Sequence, residues 1–370
     1  MQRRISIFHF YKPLNQILSF LSFLPNSSKC HCCISLFLCF SFLNWSVYTF
    51  KNPDSVRCLD LIISILSSVC IAVSIVQINF FQKSKFFNLL TNLKIIDWTL
   101  YRDYKIDTKI NSSTKLRFTS IFFSNFVFIL IEAGTSMLLF NSAFVFEHMA
   151  HYIPFPPVVL LIVEYDYFVD SIRRRCKLLN CKLLEQLNNI SAYKNTENPQ
   201  TRSILLQNMK PHFFAKNYER IYHSIELVNE IFGVQILLVF AIIQVFLVKA
   251  LDIILKNTTA SPRFLISLAN FWGCFIFLCY GLFISSVCED TVCEMKQATF
   301  IGLQLVLNLP IENEDKFKDV EKGLIFVQTI TLNRLTRFSA AGFFTVDFSV
   351  MFSLISSVSS VVILIVQIFP

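Results

Sequence analysis

The chain has 370 residues, 54% of them hydrophobic and 16% charged, with a mean hydropathy of +0.56. Soluble chains run nearer about 25% charged, so a fully water-exposed surface cannot be built here and most soluble enzymes are excluded. Forty-one phenylalanines against seven glycines exclude a disordered chain or a loop-rich scaffold, and the net charge of +8 raises a nucleic-acid partner that charge placement must test.

Residues 1–31 open with Arg3 and Arg4 and contain an apolar run from Leu14 to Leu24. Lys12, Pro13, Asn15 and Gln16 interrupt it, and no small-residue cleavage site follows. A cytoplasmic, uncleaved lead-in is therefore expected rather than a signal peptide.

A membrane helix needs about 20 mainly apolar residues to cross about 30 Å of hydrocarbon. Seven segments meet that measure in chain order: Cys32–Phe50, Leu59–Phe81, Phe118–Phe140, Ile153–Ser171, Leu227–Val248, Phe264–Val287 and Ala340–Phe369. The fourth is the most polar, with Glu164, Asp166 and Asp170. The expected plan is all-α and polytopic: spans one to four over 32–171 with a cytoplasmic loop 82–117, a helical extension 172–226, spans five and six over 227–287, an anchor region 288–339, and a last helix 340–370. Internal repeats are absent, which weighs against an inverted-repeat transporter.

Lysine and arginine collect on the cytoplasmic side of membrane proteins. The lead-in and the three long polar stretches hold 28 of the 33 basic residues, and the opposite side holds five: Lys51, Arg57, Lys249, Lys256 and Arg263. The N-terminus is expected inside and the C-terminus outside. The surplus charge is thus an orientation signal, not a nucleic-acid surface. A G-protein-coupled receptor has the reverse topology, so no G protein is expected.

Other motifs point to little chemistry. Asn257-Thr258-Thr259 is a glycosylation candidate in the expected outer loop, while the sequons at Asn26, Asn111 and Asn189 fall on inner segments. Of twelve cysteines only Cys58 falls in an expected outer loop, so no disulfide framework is anticipated. Cys30-His31-Cys32-Cys33 lacks a distant pair to complete a metal site, and Glu147-His148-x-x-His151 lacks a third ligand. No nucleophile motif, phosphate loop or nucleotide fingerprint appears, so no enzyme, cofactor or metal is expected.

The last span carries the most informative pattern. With Ser349 at zero on a wheel of about 100° per residue, Ser353 falls near 40°, Ser356 near 340°, Ser360 near 20° and Gln367 near 0°. Five polar side chains form one narrow stripe. Within lipid such a stripe must face protein or water. Two readings follow: a tight helix–helix seam of small residues, or a pore wall built from several copies, with a Gln367 ring near its outer end.

The C-terminal sequence resembles the insect gustatory receptor family, relatives of insect odorant receptors. Gly342-Phe343-Phe344-Thr345-Val346-Asp347 matches that family's Gly-Phe-Phe-x-hydrophobic-Asp/Asn stretch. The later Thr-Tyr-(five apolar)-Gln-Phe motif is occupied by Ser360-Val361, Val362 to Val366, and Gln367-Ile368, so the Thr-Tyr and the final Phe are absent. The resemblance implies a tetramer, homomeric or with other gustatory receptors, in the plasma membrane of sensory neurons. It further implies a non-selective cation pore lined by the last helix through Ser353, Ser356, Ser360 and Gln367, and a small-molecule tastant held in the outer half among spans two to six. Polar or aromatic groups at membrane depth there are Glu132, Gln235, Gln244, Trp272 and Tyr280; Glu164 and Asp166 are expected to meet basic residues near the inner face. The alternative is a polytopic transporter or membrane enzyme in which the last helix is only a seam.

Overall fold

The computed structural model describes residues 29–49, 55–105, 112–139, 155–194, 211–256, 263–308 and 337–368, without some side chains inside these ranges, Glu132 among them. Prolines punctuate the helices rather than interrupt them. Pro53 precedes α2, Pro156 and Pro157 sit in the first turn of α5, Pro211 opens α6, and Pro262 precedes α7. Proline lacks the N–H that an interior helical position needs, but the first turn leaves that donor unused anyway.

The helices are α1 Lys29–Thr49, α2 Ser55–Val76, α3 Lys83–Tyr104, α4 Ser112–Leu139, α5 Phe155–Lys194, α6 Pro211–Lys256, α7 Arg263–Asn308 and α8 Phe348–Ile368. A π turn, Gln77–Phe81, extends α2. Two short strands, β1 Ser339–Ala340 and β2 Phe344–Thr345, pair antiparallel just before α8. By length and composition, Cys58–Phe81, Phe213–Leu255 and Leu268–Leu305 are long and apolar enough to cross a membrane, and Thr119–Thr135 and Phe348–Leu364 are shorter apolar helical stretches. The first half of α5 falls short of that measure because it carries Glu164, Asp166 and Asp170.

All seven expected spans fall on helices, with differences at their edges. Over their described residues the polar stretches between spans four and five and after span six continue the span helices: α5 and α6 run 40 and 46 residues without a break, as does α7 for 46. Cys58 and Lys249, expected in loops, lie inside α2 and α6. The last helix starts at Phe348, not Ala340, because Ala341 (φ 51) and Gly342 (φ 78) take left-handed turn geometry that no right-handed helix contains.

Helix α6 is the axis of the bundle and packs against α2, α3, α5, α7, α8 and β1. Its apolar face contributes Phe214, Ile221, Ile225, Val228, Ile231 and Phe232, all fully buried. At its start, Thr99 of α3 donates to Asn217 (2.9 Å) and Tyr218 donates to Asn180 of α5 (2.5 Å). Asn180 in turn donates to Glu294 of α7 (3.0 Å), so the helical extensions are tied together by side-chain bonds. Arg175 of α5 reaches Asp97 of α3 at 2.5 Å in a pair that is 7% and 10% exposed.

Candidate functional site

Among the described residues, helix α8 touches the rest of the chain along one face. Met351, Leu354 and Val358 are buried, at about 200°, 140° and 180° on the Ser349 wheel. Ser349, Ser353, Ser356, Ser360 and Gln367 are exposed. The polar stripe therefore points away from the rest of the described chain, opposite the anchoring face. Among the described residues, no helix of this chain packs on the stripe. Phe352, Ile355 and Ile363 flank the stripe and are also exposed.

The anchoring face is close-fitting. A Cβ at Gly281 of α7 would lie 2.7 Å from the Met351 sulfur, so glycine lets the two helices cross there. Gln244 of α6 donates through Nε2 to Ser357 Oγ at 3.1 Å. Gln244 is thus bonded directly to the last helix.

The Gly-Phe-Phe-x-x-Asp motif folds into the hairpin and cap that set where α8 begins. Gly342 makes the turn, and Phe343 N–H donates to the Ala340 carbonyl (3.0 Å). Phe344 packs edge-on to Phe240 of α6 at 5.7 Å, whereas Phe343 is 78% exposed. Asn229 of α6 clamps the incoming strand: its amide donates to the Arg337 carbonyl (2.7 Å) and accepts from Ser339 N–H (3.0 Å). A Cβ at Gly233, one turn later, would lie 2.8 Å from the Ala341 nitrogen. Asp347 is the N-cap of α8. It accepts from Ser349 N–H (2.9 Å), from the Ser349 hydroxyl and from the Thr345 hydroxyl (2.9 Å). Burial pushes its carboxyl up, but these bonds outweigh that and hold it below the ordinary carboxylate range.

The other candidates scatter. Gln235 is fully buried two residues after Gly233, near the middle of α6, and neither amide atom has a hydrogen-bond partner. Trp272 is 37% exposed and stacks on the exposed Phe275 (5.8 Å), so it lies on the outside of the bundle. Tyr280 is buried beside Phe277 (5.8 Å, 73°). Glu132 lies on α4, but its side chain is outside the described residues, as are Asn257 and the His148/His151 pair. Among the described residues Glu164 meets no basic group: both of its buried carboxylate oxygens lack a hydrogen bond. Its neighbour Asp170 takes that role, pairing with Arg173 (2.7 Å) and Arg174 (3.1 Å). Glu164 lies six residues before Asp170, about 9 Å along the helix axis from the acid that those guanidiniums hold.

Sequence reasoning missed a second cluster, which lies beyond the hairpin toward the C-terminal end of α6. Phe128, Phe155, Phe246 and Phe277, one each from α4, α5, α6 and α7, are all buried against one another. Phe246 stacks on Phe277 (4.2 Å, 29°) and makes edge contacts with Phe128 (6.0 Å) and Phe155 (5.9 Å). Above Phe246 sits the Lys249 ammonium, 5.9 Å from the ring centre and paired with Asp60 of α2. The available signal was two charges, Lys249 and Asp252, inside an apolar run from Val245 to Leu255, and a lone aspartate, Asp60, in Cys58 to Leu66.

Two solved structures share this architecture across nearly all of both chains. The insect olfactory receptor OR5 from Machilis hrabei superposes with a TM-score of 0.65 at 13% identity, covering 97% of this chain and 98% of that one. The same receptor in complex with eugenol gives 0.64 at 14% identity, covering 96% and 97%. At such identity the likeness is one of fold. No curated protein sequence matches. The profile described as "7tm Chemosensory receptor" matches residues 5–368, and the chain belongs to that family of chemosensory receptors.

Proposed function

We propose that the chain is a gustatory-type receptor that works as a ligand-gated, non-selective cation channel. In this reading several copies, four by analogy with the gustatory family, surround a pore lined by α8, with Ser353, Ser356, Ser360 and Gln367 facing the axis. The N-terminus and the long helical extensions are cytoplasmic, the C-terminus is extracellular, and the protein sits in the plasma membrane of sensory neurons. The supporting observation is the direction of the polar stripe, which lies opposite the Met351, Leu354 and Val358 face. An exposed row of hydroxyls and an amide on a membrane helix needs water or another polar surface, since hydrocarbon satisfies neither donor nor acceptor. Copies of the same stripe around an axis supply both.

The ligand is a small molecule that binds toward the C-terminal end of α6, around Tyr280 and the four phenylalanines. Only a ligand that binds the open state better than the closed one shifts the equilibrium. The path from that site to the pore runs through α6 and α7, which carry the rings and also hold α8 at Gln244 and Gly281. The eugenol complex of the olfactory receptor is consistent with a small-molecule agonist in this architecture. Whole-cell recording of wild type against Gln367→Arg tests the reading. Agonist-evoked cation current that Gln367→Arg abolishes or strongly reduces supports it. Current that ignores a fixed positive charge at that position excludes the α8 pore, and a silent wild type across a broad tastant panel excludes the channel.

A further inference from the structure

We infer that the π turn joining α2 to α3 and the hairpin that starts α8 form one coupled unit across α6, which makes Gln77 and Gln82 positioning residues for the last helix. The coupling is a property of the fold; its part in gating rests on the channel reading above.

The π turn, Gln77–Phe81, closes with the Gln82 N–H donating to the Gln77 carbonyl at 2.8 Å. In an unbroken α-helix these two residues would lie about 140° apart on the wheel. Closure over five residues instead sets residue 82 over residue 77. Both side chains then reach one atom: Gln77 Nε2 and Gln82 Nε2 donate to the Glu230 carbonyl of α6 at 3.2 and 2.7 Å. Lys85 adds an ion pair to the Glu230 carboxylate at 3.0 Å. The pair of amide bonds is specific to the register of the turn, since a shift to α register carries one amide off the carbonyl.

The same stretch of α6 holds the hairpin. Asn229, adjacent to Glu230, bonds the Arg337 carbonyl and the Ser339 N–H, and Gly233 lies against the Ala341 backbone. The two attachments use opposite flanks of the helix: Asn217, which bonds Thr99 of α3, and Gly233 are about 160° apart on the wheel. A displacement of α6 at residues 229–233 therefore moves both.

An apolar connection spans the same gap. Phe86, whose N–H donates to the Gln82 carbonyl (3.0 Å), meets Phe168 of α5 at 5.4 Å between ring centres. Phe168 meets Phe232 of α6 (5.7 Å), Phe232 meets Tyr165 (5.9 Å), and Tyr165 meets Phe338 at the entry to β1 (6.5 Å). All five rings are buried. The Phe338 carbonyl accepts from Val346 N–H at 2.8 Å, so the chain of rings ends on a bond that closes the hairpin. Close-packed side chains pass displacement on rather than absorb it. Measured coupling, not adjacency, is the criterion for such a route, and amide exchange measures it.

The test follows hydrogen–deuterium exchange of the purified full-length protein at pH 7. Gln77→Leu with Gln82→Leu removes both donors from the Glu230 carbonyl. Exchange is expected to rise about two- to ten-fold over the joint, 76–87, and also over the hairpin, 338–347, while the α5 core, 158–172, stays as in wild type. Asn229→Leu is expected to raise exchange over the joint in return, since coupling between two sites is reciprocal. A rise confined to the joint, a rise shared equally by the α5 core, or no rise at the joint overturns the inference, as does an Asn229→Leu effect confined to the hairpin. If the leucine variant does not fold, Gln82→Glu, which keeps the shape but cannot donate when ionised, is read against the same outcomes. A hairpin response in a protein that passes no current leaves the coupling standing and rejects the channel; evoked current with the rise confined to the joint does the reverse.

Discussion

Gln244 of α6 and Ser357 of α8 are joined by a side-chain hydrogen bond of 3.1 Å, which links the central helix of the bundle directly to the helix that carries the polar stripe. The bond lies between the aromatic cluster and the hairpin. It is therefore placed to feel any shift of α6 relative to α8.

Gln244→Leu and Ser357→Ala are each expected to change the agonist concentration for half-maximal current by about two- to ten-fold, corresponding to the roughly 0.5–1.5 kcal/mol of one neutral hydrogen bond. The double variant should match the singles instead of adding them, because the two residues share one interaction. Additive effects would mean that the bond does not couple the helices. Dose–response curves for the four proteins give the answer.

The hairpin clamp makes a stability prediction. Asn229 satisfies two backbone groups of the strand leading into α8, so Asn229→Leu strands the Ser339 N–H and the Arg337 carbonyl together. A loss of about 1–3 kcal/mol is expected, read as a lower thermal midpoint of the purified protein. Gly233→Ala should act on the same contact by pushing the Ala341 backbone away from α6. An unchanged midpoint in both would show that the hairpin does not hold the helix start.

Asp347 gives a prediction with a sign. Its carboxyl is held below the ordinary range by the bonds from Ser349 and Thr345, so the folded form prefers the charged state. Stability from this cap is complete above the unfolded carboxylate value and is lost as pH falls through the lowered folded value. Asp347→Ala is expected to cost about 0.5–2 kcal/mol at neutral pH, whereas Asp347→Asn, which also caps, should cost less and flatten the acid limb. Thermal midpoints of the three proteins from neutral pH downward test this.

The Arg175–Asp97 pair holds α5 to α3 in the helical extensions. Arg175→Met alone strands a buried carboxylate and is expected to destabilise by about 3–5 kcal/mol, and adding Asp97→Leu should recover most of the loss. Surface delivery and thermal midpoint should move together. A double variant worse than the single would place the role of this pair elsewhere.

The helical plan was legible in the sequence because lipid-crossing segments announce themselves by apolar length, and the α8 stripe because its period of 3.6 places Ser349, Ser353, Ser356, Ser360 and Gln367 on one side. The direction of that stripe was not legible: periodicity says which residues share a face, not what the face meets. The hairpin was hidden because Ala340 to Val346 is as apolar as a span, and only the positive φ of Ala341 and Gly342 separates it from one. Lys249 was counted as a loop charge, since a lysine near a span's end has the same composition whether it snorkels to water or turns inward to Asp60. Gln235, Gln244 and Trp272 share a residue class with Tyr280, but their different wheel positions send them to the core near Gly233, to α8 and to the outside of the bundle.

The central claim is that the outward face of α8 lines a water-filled cation path. Single cysteines at Ser353, Ser356, Ser360 and Gln367, and at Leu354 and Val358 as buried-face controls, can be exposed to a positively charged thiol reagent during agonist-evoked current. The account predicts rapid, irreversible block at the four stripe positions, with Leu354→Cys and Val358→Cys behaving as wild type. Equal insensitivity of all six, or block confined to the two buried-face positions, would contradict it.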